Sequence, residues 1–92
     1  MTRKLLISLL LAFVVSAGIA QDAKENGDFK LALNLYNDKF YDLALEQFRQ
    51  FVNFYPNTQQ GIEARFYIGL TQFQLKQFDE SRFSFQNFAL SY

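Results

Sequence analysis

Residues 28–55, DFKLALNLYNDKFYDLALEQFRQFVNFY, and residues 65–92, RFYIGLTQFQLKQFDESRFSFQNFALSY, decide the fold, because the second string is a degenerate copy of the first displaced by 37 positions. Identical pairs are Phe29/Phe66, Leu33/Leu70, Lys39/Lys76, Asp42/Asp79, Phe48/Phe85, Phe51/Phe88 and Tyr55/Tyr92. Leu31/Ile68, Ala32/Gly69, Tyr36/Phe73, Tyr41/Phe78 and Ala44/Ser81 are near-equivalents. The matches fall at apolar positions in helical spacing, which is what a duplicated packing unit has to retain.

Each copy reads as two helices. In the first, Leu31, Ala32 and Leu35 form one stripe, and Phe29, Leu33 and Tyr36 form another on a different side. After a break at Asn37-Asp38-Lys39, the residues Tyr41, Ala44, Leu45, Phe48, Phe51, Val52 and Tyr55 recur at i, i+3, i+4, i+7 spacing. Pro56 ends that helix, since it cannot donate a backbone hydrogen bond and disfavours α conformation in the residue before it. The stretch Asn57-Thr58-Gln59-Gln60 opens the next helix, with Asn57 as expected N-cap and Gln60 three residues on. Copy two then runs from about Gln60 to Leu75, turns at Lys76-Gln77 and continues from Phe78. Ala32 and Gly69, with Ala44 and Ser81, place small residues where two helices must approach closely. A helical Gly costs about 1 kcal/mol relative to Ala, so Gly69 needs a packing reason, and the facing helix supplies one.

Before the repeat, Met1-Thr2-Arg3-Lys4 is a short positive head, Leu5 to Val15 is an apolar run, and Ser16 to Ala20 are mostly small. Gly18 and Ala20 stand at the −3 and −1 positions of a cut after Ala20, so residues 1–20 are expected to be a cleaved secretory signal peptide. Leu5 to Ala20 is sixteen residues, short of the roughly 20 that span a bilayer, which places an uncleaved anchor second. Residues 21–27 read as a short linker, 28–56 as repeat 1 and 57–92 as repeat 2. Removing residues 1–20 takes Arg3 and Lys4 away and leaves seven basic against nine acidic residues, a net charge of about −2.

Composition narrows the function. The 92 residues are half hydrophobic and 20% charged, unlike a disordered chain. Twelve Phe and five Tyr stand beside no Trp, no His and no Cys. Without His or Cys, the expectation is no His-based acid–base chemistry, no thiolate nucleophile, no disulfide and no zinc-type metal site. The zero net charge carries no basic run, so no nucleic-acid partner is expected. Glycines 18, 27, 61 and 69 are scattered, without a phosphate loop. Asp42 and Asp79 recur near the starts of second helices, where a negative charge favours the helix dipole; no cofactor and no enzyme activity are expected.

Leu-Ala-x-x-Leu-Tyr at 31–36, Tyr-Asp-x-Ala at 41–44, Phe48 and Tyr55-Pro56 resemble the small/large signature of a tetratricopeptide repeat. The string FYDLALEQFRQFVNFYP, followed by Ala64-Arg65-Phe66-Tyr67-Ile68-Gly69-Leu70, is similar to repeats of periplasmic envelope proteins of the YbgF/CpoB and BamD type. That resemblance covers residues 28–92. It implies an all-α fold, an α-α superhelix of two helix-turn-helix hairpins. It also implies a non-enzymatic scaffold binding a protein or peptide in the periplasm, in outer-membrane assembly or in cell-division and envelope coordination. The alternative is a structural spacer in a longer array. Copy two reaches Tyr92 without the Pro that closes copy one, and further repeats, or a second chain, are expected beside it.

Two surfaces are candidates for binding. By the family pattern the concave groove is lined by Phe29, Leu33, Tyr36 and Asn37 in copy one and by Phe66, Leu70, Phe73 and Gln74 in copy two. The same aromatics can instead fill the seam between helices. The second surface is Phe83 and Leu90, which lie roughly opposite Ser81 on a helical wheel. Their counterparts, Glu46 and Asn53, are polar, so copy two is apolar on a face that copy one gives to water.

Overall fold

The computed structural model describes residues 21–92, and every regular element in that range is a helix. Helix α1 covers the described residues 21–37, followed by α2 (Tyr41–Phe54), α3 (Gln59–Gln74) and α4 (Phe78–Ser91). The all-α reading holds: α1/α2 and α3/α4 are successive hairpins, and α3 packs against both α2 and α4. The signal segment expected at residues 1–20 lies outside the described residues.

Residues 21–27, expected as a linker, are helical and run into α1 without a break. The reason is the repeat itself. Residues 22–37 are α3 displaced by 37 positions, so the first helix of copy one begins as early as that of copy two. Apolar identity was too sparse before Phe29 to reveal it.

Both hairpin turns are built the same way. Lys39 and Lys76 take left-handed conformation, with φ of 66° and 63°. In the first turn, Phe40 N–H donates to the Leu35 carbonyl and Lys39 N–H to the Tyr36 carbonyl, at 2.9 and 3.0 Å. In the second, Gln77 N–H donates to the Gln72 carbonyl and Lys76 N–H to the Phe73 carbonyl, again at 2.9 and 3.0 Å. These paired 6→1 and 5→2 bonds satisfy the last carbonyls of α1 and α3. The entry to α3 differs by one residue from expectation. Thr58, in extended conformation, is the N-cap, and its Oγ1 accepts from Gly61 N–H at 3.0 Å. Asn57 therefore lies before the cap, and Gly61 rather than Gln60 sits three residues into the helix.

The core lies between the copies. Phe29, Ala32, Ala44, Phe48, Phe51 and Ala64 form one buried cluster, with Tyr67 and Ile68 packed on it from α3. Phe48 is fully buried and stacks on Tyr67 with ring centroids 5.1 Å apart. Burying one such side chain contributes about 1.5–3 kcal/mol. The α3/α4 seam is more polar. Ser81 Oγ donates to the Gly69 carbonyl at 2.8 Å, and Ser84 Oγ to Gln72 Oε1 at 2.6 Å. A Cβ on Gly69 would lie 2.6 Å from Phe85 Cε1, so the close approach expected at Gly69 is present.

Candidate interaction surfaces

The groove residues divide according to what lies next to them. Phe29 is buried, packed edge-on or tilted against Phe48, Phe51 and Tyr67. It belongs to the core and has no face left for a ligand, because α3 closes over it. Leu33 and Tyr36 are half-buried and packed on the same cluster. Tyr36 meets Tyr41 and Tyr67 edge-on, each at 5.5 Å. Asn37 and Gln74 are exposed, and Leu70 is half-buried. Phe66 and Phe73 are 40% and 55% exposed, although their counterparts Phe29 and Tyr36 are buried and half-buried.

The least covered positions shared by both copies therefore lie at one end of the first helices: half-buried Tyr36 with exposed Asn37, and exposed Phe73 with exposed Gln74. An edge-on aromatic pair marks that end in each copy, Tyr36/Tyr41 and Phe73/Phe78, at 5.5 and 5.4 Å. Such rings present apolar area at low entropic cost, and the neighbouring amides supply donors and acceptors.

Phe83 and Leu90 stand in solvent, 64% and 87% exposed. Glu46 and Asn53 are exposed as well, even though copy two stacks on copy one. A further repeat stacked in the same way would thus leave Phe83 and Leu90 in water; covering them requires contact from another direction. Leu31, placed by spacing in a stripe with Ala32 and Leu35, also differs from its stripe and is 47% exposed. Its counterpart Ile68 is packed on the core.

A third surface was not singled out by spacing. Phe73, Phe78, Ser81, Arg82, Phe85 and Ala89, with Gln86, line an open groove of about 530 Å³ beside α4. Displaced back by 37 positions these become Tyr36, Tyr41, Ala44, Leu45, Phe48 and Val52, with Arg49: the flank of copy one that faces α3. The internal repeat held this information, but only the packing of α3 shows which flank is covered.

The tetratricopeptide repeat family model matches residues 26–58 and 63–92, more than half of the chain. The two segments begin 37 residues apart, in register with the internal repeat. This chain belongs to the tetratricopeptide repeat family. No curated protein and no solved structure matches it. Tetratricopeptide repeats stack helix pairs into surfaces that bind protein partners.

Proposed function

We propose that this tetratricopeptide-repeat chain is an exported, non-enzymatic scaffold that holds a protein or peptide of the bacterial cell envelope. Outer-membrane assembly and envelope coordination during division are the processes in view, through the sequence similarity to the YbgF/CpoB and BamD type. The observation that carries the scaffold reading is the row Tyr36, Asn37, Phe73 and Gln74, half-buried at Tyr36 and exposed at the other three, repeated at the same end of α1 and α3. The signal-like residues 1–20 support export, and the periplasm is the proposed destination.

An extended or helical peptide laid across the row meets one aromatic and one amide per copy, a spacing set by the distance between first helices. A photo-crosslinking residue at position 74, introduced in the intact chain in cells, should capture an envelope protein. Tyr36→Ala and Phe73→Ala should each weaken binding of that protein roughly tenfold or more, the loss typical of an aromatic anchor. Unchanged affinity with unchanged helicity would sink the groove reading. Recovery of the chain in the cytoplasm with residues 1–20 still attached would remove the export part.

A further inference from the structure

Among the described residues, the outer flanks of α1 and α4 correspond to the two halves of the joint between the copies. At that joint α3 lays Ala64, Tyr67 and Ile68 on copy one. The Tyr67 ring stands 5.1 Å from Phe48, 5.5 Å from Tyr36 and 6.4 Å from Phe29. Ile68 shares a cleft wall with Val52. Counting 37 residues forward, the covered rings become Phe85, Phe73 and Phe66, and Val52 becomes Ala89. Phe66, Phe73 and Ala89 are exposed, and Phe85 is half-buried. Counting 37 residues back, Ala64, Tyr67 and Ile68 become Gly27, Lys30 and Leu31 on α1. A Cβ added at Gly27 would meet nothing within 4 Å, and Lys30 and Leu31 are exposed.

We propose that α1 of a second copy docks in the α4 groove, head to tail, with the same step that seats α3 on α2. Gly27 allows the close helix approach that Ala64 allows within the chain. Leu31 covers Ala89 as Ile68 covers Val52. The Lys30 ammonium takes the place of the Tyr67 ring, among Phe66, Phe73 and Phe85. A cation within about 6 Å of aromatic faces is attracted by their quadrupoles, so the lysine fits a box that an aromatic side chain fills inside the molecule. Its long stem lies along apolar surface as it enters. The contact is heterologous: each added copy brings a new free groove, and assembly continues past the dimer.

Sedimentation velocity of the purified chain, from micromolar to millimolar concentration, tests this. The weight-average sedimentation coefficient should rise through species larger than a dimer. Leu31→Glu and Ala89→Glu, both at exposed positions, should each hold the protein monomeric with unchanged helicity. Mixed in equal amounts, the two variants should form a heterodimer and nothing larger, since one keeps the groove and the other keeps α1. Lys30→Ala should weaken association about five- to tenfold. Phe83→Glu, outside the groove, should assemble as before. A chain that stays monomeric at every concentration overturns the proposal, and so does a mixture that fails to pair. Dissociation by Ala89→Glu but not by Leu31→Glu also overturns it, and marks an α4-to-α4 contact instead.

Discussion

Lys39 and Lys76 are the only non-glycine residues with positive φ among the described residues. A left-handed L-residue costs roughly 1–2 kcal/mol through contact of its Cβ with the carbonyl, and glycine is the usual occupant of this position. Part of that gain is offset by the greater freedom of an unfolded glycine. Lys39→Gly and Lys76→Gly should therefore each stabilise the chain by about 0.5–1 kcal/mol, read as a shifted urea midpoint with unchanged slope. The internal repeat shows that the two lysines are identical and lie in turns. Their backbone conformation was not legible, because lysine carries no preference for it.

At the scale of elements, two glycines in α3 set how closely its neighbours come. Gly61 stands at the helix start, where an added Cβ would collide with the Tyr55 carbonyl oxygen. That obstacle is backbone, held by the turn after α2. Gly69 faces the Phe85 ring, a side chain that can shift at the cost of its contact with Phe66. Gly61→Ala should accordingly destabilise more than Gly69→Ala, the latter by about 1–3 kcal/mol despite better helix propensity; thermal melts of the two variants give the order. Helix positions and the small-residue approach at Gly69 could be read from spacing. The cap at Thr58 could not be placed to the residue, since Asn57 and Thr58 both suit an N-cap and only the turn geometry selects one.

Across the whole molecule the two copies share a pattern but not an environment. Phe48 is fully buried under Tyr67, whereas its counterpart Phe85 lines an open groove. Phe48→Ala should cost about 3–5 kcal/mol, and Phe85→Ala distinctly less in the monomer, by equilibrium denaturation at low concentration. The same asymmetry explains the candidate groove. Phe29 and Phe66 are identical in type and repeat position, yet α3 covers Phe29, while Phe66, on α3 itself, is 40% exposed. Periodicity assigns both to an apolar stripe and cannot tell a seam from a binding face.

The order of the helices, their turns, a unit of 37 residues and the helices themselves, apart from residues 21–27 of α1, could be read along the described chain without its structure. Each of these is local or periodic, set by side chains within a few turns of one another and by a pattern that recurs. Which apolar residues are core emerged from the packing alone. Burial depends on the presence of a neighbouring helix, and a residue's own spacing carries no record of whether that neighbour is there.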